Sequence, residues 1–307
     1  MRTIDDDRTH DGRASLTRLD DSALSLALAH RAGDALLDVR ARLQAEGVDG
    51  AALKAAGDAA SQEVLADLLA HCRPADAVLS EEAVDDPGRL DAERVWIIDP
   101  LDGTREFSEA GRSDWAVHVA LWAGGELVAG AVTMPAAGLA YSTADPTRAP
   151  TSYDGPVRLA VSRSRPPAFV DRLVAELGAE VVPMGSAGVK ATAVLRGEAD
   201  AYVHAGGQFE WDSAAPVAVA LAAGLHCSRV DGSPLRYNRA DPSLPDLVVC
   251  RPEVRDVVMA AIARVLAGVE VPTTSTAAAE ATTIHATSPT QQQTGASTRP
   301  QDGAQRA

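Results

Sequence analysis

Two long helical patterns open the folded part of the chain. Residues 20–22 carry side chains that can cap a helix, and the helical pattern after them runs to about residue 45 and ends at Gly47. A second helical pattern covers residues 51–70. Short apolar runs then predict strands at residues 77–80, 95–98, 115–122, 126–133 and 138–142, the last three joined as a β-meander through Gly124-Gly125 and a later turn.

The second half alternates strand and helix patterns. Strands are predicted at residues 157–161, 181–182, 200–204 and 246–250, and helices at residues 167–177, 186–195, 212–223 and 252–267. Pro216 is tolerated in the third helix because it falls in the first turn. Strands and helices that alternate in clusters predict an α/β protein built of layers.

Three segments differ in composition. Residues 1–19 are polar and predict a flexible N-terminal arm, and residues 20–270 form the folded domain, with subdomains at about 20–150 and 151–270. Residues 271–307 contain mainly Thr, Ser, Gln, Ala and Pro. Such a segment cannot bury enough apolar surface to offset the entropy of ordering, so a disordered tail is predicted.

Charge and cysteine content exclude several classes of protein. The 307 residues include 28 basic and 43 acidic side chains, a net charge of −15 that repels nucleic-acid polymers and anionic membranes. Small anionic substrates stay compatible, because bound cations invert the local field. The three cysteines Cys72, Cys227 and Cys250 are far apart, as expected of free thiols in a reducing cytoplasm. Neither a secretory signal nor a membrane-spanning run is visible, so a cytoplasmic location is expected.

Residues 96–107, Trp-Ile-Ile-Asp-Pro-Leu-Asp-Gly-Thr-Arg-Glu-Phe, carry the strongest chemical signal. An apolar strand ends in Asp99-Pro100, and Asp102 follows two residues later. Two carboxylates this close repel each other and are costly to bury unless a cation lies between them. Gly103 allows a ligand to approach the backbone closely, and Thr104 adds a hydroxyl. The pattern therefore favours a divalent-metal site that binds phosphate.

The Asp-Pro-Leu-Asp-Gly-Thr segment resembles the first signature of the inositol monophosphatase superfamily, whose members are Mg²⁺-dependent, lithium-sensitive phosphatases. Arg105-Glu106-Phe107 is similar to the bisphosphate nucleotidase branch of that superfamily. The resemblance implies a layered α-β-α-β-α sandwich and two or three Mg²⁺ ions in each active site. A calcium-type loop or a plain acidic turn is the alternative interpretation.

Two further segments extend the resemblance. Ser80-Glu81-Glu82 precedes the Asp-Pro segment, and residues 210–215, Glu-Trp-Asp-Ser-Ala-Ala, resemble the second superfamily signature at a helix N-terminus. In isolation, the first would be a solvated charge pair and the Asp of the second a helix cap. The resemblance implies metal sites roughly 3.5–4 Å apart. Their implied ligands are Asp99 as the bridge, Glu81 and the Leu101 carbonyl at the first metal, and Asp102 and Asp212 at the second.

The resemblance also implies which residues activate the attacking water. Asp58 matches, by position, the superfamily Asp that acts together with the Thr of Gly-Thr, here Thr104. Local similarity around Asp58 is weak, and a helix N-cap is the alternative. The backbone N–H groups of Gly103 and Thr104 are expected to bind the phosphoryl oxygens.

Two segments resemble leaving-group elements of the nucleotidase branch. Ser162-Arg163-Ser164 follows a predicted strand, and residues 185–190, which begin with Gly185-Ser186 and end at Lys190, open a predicted helix. A helix N-terminus with Gly and Ser favours anions, and Arg or Lys forms charge-assisted bonds to phosphate. Surface basic residues and turn formers are the alternative. The expected substrate-binding set is Glu81, Leu101, Asp102, Gly103, Thr104, Ser162, Arg163, Ser164, Gly185, Ser186, Lys190, Glu210 and Asp212.

The resemblance implies an enzyme that removes the 3′-phosphate of 3′-phosphoadenosine 5′-phosphate, or of its 5′-phosphosulfate analogue, in sulfate assimilation. Inositol 1-phosphate and fructose 1,6-bisphosphate are alternative substrates, because the metal site is common to all of these phosphatases. A metal- or nucleotide-binding regulator is the non-enzyme alternative, and would need a broken ligand. The expected partner is a small phosphorylated substrate, with no nucleic-acid polymer and no membrane, and a homodimer is one candidate assembly. His118 and His204 are expected to be strand residues without a catalytic role.

Overall fold

The computed structural model describes residues 10–149, 155–164, 166 and 168–268. Its helices are α1 (His10–Thr17), α2 (Asp21–Ala45), α3 (Gly50–Cys72), α4 (Thr104–Ser108), α5 (Ala168–Leu177), α6 (Ala187–Arg196), α7 (Glu210–Ala222) and α8 (Arg255–Ala267). Its strands are β1 (Ala77–Ser80), β2 (Arg94–Asp102), β3 (Ala116–Ala123), β4 (Glu126–Met134), β5 (Leu139–Ser142), β6 (Arg158–Ser162), β7 (Glu180–Met184), β8 (Ala201–Phe209), β9 (His226–Ser228) and β10 (Ser243–Cys250).

The strands form two five-stranded sheets. The first has the order β1-β2-β3-β4-β5, in which β1 and β2 are parallel and the other neighbours antiparallel. The second has the order β7-β6-β8-β10-β9, in which β6 is parallel to β7 and β8, and β10 is antiparallel to β8 and β9. The predicted hairpin and its third strand are confirmed as β3, β4 and β5.

Five layers of helices and sheets pack around three hydrophobic cores. Helices α2 and α3 cover one face of the first sheet, with Trp96, Ile98 and Val119 in the shared core. Helices α6 and α7 lie between the two sheets, in a core that includes Ile97 from the first and Val249 from the second. Helices α5 and α8 cover the outer face of the second sheet. This arrangement confirms the predicted α-β-α-β-α sandwich.

The N-terminal region differs from its prediction. Residues 1–19 are predicted to be a flexible arm, but the described part of this segment contains helix α1. Arg13 Nη2 lies 2.6 Å from Asp67 Oδ2 on α3, and Leu16 packs against the core beneath α2 and α3. Apolar contact and an ion pair therefore order this part of the arm.

Other differences concern element ends. Strand β8 extends to Phe209 and leads directly into α7, beyond the predicted end at residue 204. Helix α4 and strand β9 were not predicted, because each is too short to show a periodic pattern. Within the described ranges, no helix is both long enough and apolar enough to span a membrane. The predicted disordered tail lies outside the described residues.

Candidate metal centre and active site

The last residues of β2 include two aspartates, Asp99 and Asp102. The pairing of β2 with β3 shifts register between Asp99 and Asp102, at the segment that contains Pro100. The Leu101 N–H donates to Asp99 Oδ1 over 3.0 Å and fixes that carboxylate. Gly103 has φ +90°, and a Cβ there would lie 3.2 Å from the Cβ atoms of Ser186 and Trp115. The motif therefore needs glycine for both its conformation and its space.

Four carboxylates meet at this point. Strand β1 is parallel to β2 in the register Ser80–Ile98, which brings Glu81 beside Asp99, and the first turn of α7 supplies Asp212. Desolvation, with the charge of Asp212, raises the pKa of Glu81 to about 7. Desolvation, with the charge of Asp102, raises the pKa of Asp212 to about 6. The pKa of Asp99 is raised well above its usual value by burial and by Glu81. The cluster therefore has an excess of negative charge.

Asp102 is held by the N-terminal turn of α6. Its Oδ2 accepts hydrogen bonds from Ser186 Oγ at 2.5 Å and from Gly188 N at 2.8 Å. Burial raises the pKa of Asp102, but His118, Lys190 and the Ser186 hydroxyl outweigh that effect and lower it to about 2. Asp102 therefore stays ionised while its neighbours are readily protonated in the absence of a cation.

The residues fit a hard divalent cation. Asp99 Oδ2 is buried and has no hydrogen-bond partner among the described residues. Ligand atoms of Asp99, Asp102 and His118 lie within 4.8 Å of one another. Carboxylate and carbonyl oxygens are the ligands that Mg²⁺ prefers. The Leu101 carbonyl, a predicted ligand, accepts a hydrogen bond from Thr104 Oγ1 at 3.3 Å.

Helix α3 brings Asp58 to the Asp-Pro segment. Gly57 packs against the ring of Phe107, where a Cβ would approach Cε1 to 2.6 Å, and Ser61 Oγ donates to the Pro100 carbonyl over 2.6 Å. Asp58 lies in the interior of a continuous helix, so the N-cap alternative is excluded. Desolvation and the charge of Glu82 raise the pKa of Asp58 to about 6. A carboxyl group with this pKa can accept a proton near neutral pH.

The predicted leaving-group residues lie on two neighbouring segments. Ser162 ends β6, and Arg163 and Ser164 follow it. Arg163 Nη2 lies 2.8 Å from Glu106 Oε1 and 2.9 Å from Glu109 Oε1. These hydrogen bonds raise the pKa of Arg163 further above its usual value. The structure thus connects the Ser-Arg-Ser segment to the Arg-Glu-Phe segment, two features that the sequence could only list separately.

Arg40 and Asp114 hold the loops around Arg163 in place. Arg40 from α2 donates to the carbonyls of Arg112 and Glu109 over 2.9 and 2.7 Å. Asp114 Oδ2 accepts from the Gly185 N–H at 2.7 Å. A Cβ at Gly185 would approach the Glu106 side chain to 2.4 Å, so only glycine fits between Glu106 and Asp114. The predicted Gly185 therefore has a defined packing role.

Two predicted substrate-binding side chains point into the protein. Lys190 is 6 % exposed, and its Nζ donates to the carbonyls of Gly185 and Ser186 over 3.3 and 2.5 Å. Glu210 is fully buried, and its carboxylate accepts the backbone N–H groups of Asn238 and Arg239 at 2.6 and 2.9 Å. Both side chains thus hold loops in place, and their predicted contact with substrate stays a prediction.

The sequence did not predict the contacts that two further residues, His118 and Arg89, make around the site. His118 lies 3.2 Å from Asp102, and buried Arg89 binds Asp85, Asn238 Oδ1 and the Arg239 carbonyl. Arg89 therefore joins the loop that follows Glu81 to the loop that Glu210 holds. A histidine inside an apolar strand was the only available signal for His118, and nothing in the sequence marks Arg89.

The sequence of this chain is similar to those of known proteins. The family model described as "Inositol monophosphatase family" matches residues 20–265. The chain belongs to the inositol monophosphatase family. A 3′-phosphoadenosine 5′-phosphate phosphatase of Mycobacterium leprae (strain TN) is 50% identical over 270 residues, which cover 84% of this chain and 98% of that protein. The 3′(2′),5′-bisphosphate nucleotidase CysQ of Escherichia coli (strain K12) is 33% identical over 228 residues, which cover 68% of this chain and 91% of that protein.

A solved structure of this family supports the fold. Mycobacterium tuberculosis SuhB is 27% identical and superposes with a TM-score of 0.62, over 80% of this chain and 96% of that one. Family membership confirms the predicted resemblance and identifies the chain as a phosphatase. The metal-ligand and water-activating roles of the individual residues stay predictions.

Proposed function

We propose that this chain is a Mg²⁺-dependent nucleotidase that removes the 3′-phosphate of 3′-phosphoadenosine 5′-phosphate and yields AMP. The observation that carries this proposal is the 50% identity to a protein named for that activity, over 98% of its length. The 5′-phosphosulfate analogue is a second substrate, since it has the same 3′-phosphate. The cellular role that follows is removal of by-products and intermediates of sulfate assimilation.

Four carboxylates and one carbonyl would hold the metal ions: Glu81, Asp99, Asp102, Asp212 and the Leu101 carbonyl. The raised pKa values of Glu81 and Asp212 and the buried, unpartnered Asp99 Oδ2 support this assignment, because a bound cation would relieve all three. Bound Mg²⁺ ions make water more acidic and stabilise the charge that develops on the leaving oxygen.

Protein groups complete the reaction. Asp58, with its pKa near 6, accepts the proton of the attacking water, and Thr104 orients that water. Thr104 begins α4, so the N–H groups of Gly103 and Thr104 can donate to phosphoryl oxygens. Asp102 keeps its charge because His118, Lys190 and the Ser186 hydroxyl lower its pKa, and Oδ2 accepts from Ser186 Oγ and Gly188 N.

Selectivity for a bisphosphate is assigned to Arg163. Glu106 is 5 % exposed, and it holds the guanidinium of Arg163 at the end of β6. The Arg163 side chain is 30 % exposed, so the open part of its guanidinium is able to bind the phosphate that is not cleaved. Glu106, the residue before the Phe of this signature, thus holds the arginine that is proposed to select a bisphosphate.

A phosphate-release panel tests the proposal. The purified full chain would be assayed on 3′-phosphoadenosine 5′-phosphate, its 5′-phosphosulfate analogue, inositol 1-phosphate and fructose 1,6-bisphosphate, each with Mg²⁺ and with EDTA. We expect Mg²⁺-dependent release, with the highest kcat/KM on the two adenosine substrates. Higher kcat/KM on inositol 1-phosphate would overturn the substrate assignment, and full activity in EDTA would overturn the metal assignment.

A further inference from the structure

His118 lies where the end of β2 meets the first turns of α6 and α7, although no reaction step requires it. It is fully buried on β3 and is directly opposite Asp99 on β2, so the two side chains share one face of the sheet. Its Nε2 lies 3.2 Å from Asp102 Oδ2, and its Nδ1 lies 3.9 Å from Asp99 Oδ2. The imidazole ring therefore lies beside both Asp99 and Asp102.

The other ring nitrogen reaches helix α7. Nδ1 lies 3.2 Å from the carbonyl oxygen of Trp211, which accepts a hydrogen bond from the ring when the proton is on Nδ1. Trp211 immediately precedes Asp212. His118 therefore spans the gap between Asp102 and the turn that presents Asp212, which are the two predicted ligands of the second metal.

The third contact is with α6. A Cβ placed on Gly188 would lie 2.1 Å from His118 Nε2, so the ring occupies the space of a missing side chain. The Gly188 N–H donates to the same Asp102 oxygen that His118 faces. Gly188 thus has two roles, to bind Asp102 and to leave room for the imidazole.

We propose that His118 is a positioning residue that sets the separation and orientation of Asp102 and Asp212, and that Gly188 is glycine in order to admit its ring. The inference rests on the metal assignment of the proposed function. Residues that orient metal ligands typically change metal affinity or activity about 10–100-fold when replaced. His118→Leu, which keeps bulk and removes both nitrogens, should weaken one metal site by that factor. His118→Gln, which keeps a polar amide, should lose less.

Direct metal binding provides the main readout. Mn²⁺ binding to the full chain would be followed by electron paramagnetic resonance, alongside the Mg²⁺ concentration for half-maximal activity and the melting temperature in EDTA. We expect His118→Leu to weaken the binding of one Mn²⁺ while its metal-free melting temperature still shows a folded protein. Unchanged Mn²⁺ affinity in folded His118→Leu would overturn the inference. Absence of Mn²⁺ binding by the unmodified chain would instead overturn the metal assignment itself.

A double-mutant cycle gives a second, independent test. Gly188→Ala should displace the ring and reduce Mn²⁺ affinity about as much as His118→Ala does, and the double variant should be little worse than His118→Ala alone. Equal additional losses from Gly188→Ala in both backgrounds would overturn the proposed contact. Gly130→Ala is the matched control, since its Cβ would lie 2.7 Å from Ala218 Cβ further along α7. It should lower the melting temperature without a selective effect on Mn²⁺.

Discussion

Two buried acidic groups in this molecule are neutralised in opposite ways. Asp200, at the start of β8, accepts from Arg158 Nη2 at 2.8 Å and from Arg251 Nη1 at 3.1 Å, and both it and Arg251 are 1% exposed at the side chain. Burial raises the pKa of Asp200, but its bonds to Arg158 outweigh that effect and lower it. Asp99 is equally buried, yet its neighbours are other carboxylates and its pKa is raised.

The difference separates an acid that is paired within the fold from one that is proposed to bind metal. At Asp200 the chain supplies its own cations, so the charge is satisfied in the folded protein without any ligand. At Asp99 the chain supplies more negative charge, and under the proposed function a cation from solution would balance it.

Asp99→Asn should remove turnover without loss of stability. The proposed metal bridge would be lost, with about 3–5 kcal/mol of transition-state stabilisation, or roughly 10²–10⁴-fold in kcat. In EDTA the variant should melt at the same temperature or higher, because one buried negative charge has gone. Steady-state kinetics at saturating Mg²⁺ and thermal melting measure the two effects. Near-normal kcat in the folded variant would refute the role of Asp99.

Asp200→Asn should lower folding stability and leave turnover unchanged. It removes the carboxylate that Arg158 and the buried Arg251 share, and breaking a buried ion pair typically costs about 3–5 kcal/mol of folding free energy. The fraction that remains folded should keep its kcat, since Asp200 lies outside the carboxylate cluster. Urea unfolding, paired with kcat per folded molecule, checks both halves of this prediction. A large fall in kcat per folded molecule would show that Asp200 also contributes to catalysis.

Arg163→Ala tests a side chain that is intermediate between Asp200 and Asp99. Arg163 is paired with Glu106 and Glu109, yet it is 30 % exposed. Loss of one charge-assisted bond, about 1.5–3 kcal/mol, should lower kcat/KM for the bisphosphate roughly ten- to a hundredfold. Activity on inositol 1-phosphate should change little, because it lacks the second phosphate. Lys190→Met is the matched control, and should reduce both activities alike because buried Lys190 holds the Gly185-Ser186 backbone. If Arg163→Ala lost activity equally on the bisphosphate and on inositol 1-phosphate, the proposed role of Arg163 in selectivity would be wrong.

The pH dependence of stability should depend on metal. Glu81 and Asp212 have folded pKa values of about 7 and 6, above their ordinary values, so they bind protons more tightly in the folded state. Their contribution to stability is present at low pH and is lost as pH rises through about 4 to 7. The EDTA-treated protein should therefore melt lower at pH 8 than at pH 5, by at least about 2–4 °C, the effect of ~1 kcal/mol in a domain of this size. Saturating Mg²⁺ should remove most of that difference, and a rise in melting temperature with pH in EDTA would contradict the cluster.

Truncation after Val271 should have the smallest effect. The removed residues include none of Glu81, Asp99, Asp102, Asp212 and Asp200, and few large apolar side chains. Activity and melting temperature should both stay within error of the full chain. A marked loss of either would show that the segment contributes to the domain or to an assembly of copies.

The sequence predicted the layered fold and located the acidic cluster, for a physical reason. Strand ends, turns and helix starts are encoded locally, and Asp99, Asp102 and Asp212 each lie within a few residues of such a boundary. The same local signals identified Gly103 and Ser186. Helix α3 was predicted too, although only the structure shows that Asp58 lies in its interior.

Contacts between distant segments could not be predicted. Whether Lys190 points toward substrate or into the core depends on the carbonyls of Gly185 and Ser186, whose orientation is a product of tertiary packing. Glu210 looked like part of a signature, yet its partners, Asn238 and Arg239, lie 28 and 29 residues further along the chain. His118 gave no periodic signal because its neighbours on β3 are apolar on both faces.

One feature of the aspartates bears on how fast a metal ion is taken up. Asp99, Asp102 and Asp212 each accept a backbone N–H with one carboxylate oxygen, from Leu101, Gly188 and Phe209 respectively. The carboxylates are therefore oriented before any ion arrives, and the entropy of arranging them is already lost on folding. Uptake then needs no slow rearrangement of the chain. Stopped-flow mixing of metal-free protein with Mn²⁺ should accordingly show a rate proportional to ion concentration, without a concentration-independent limit.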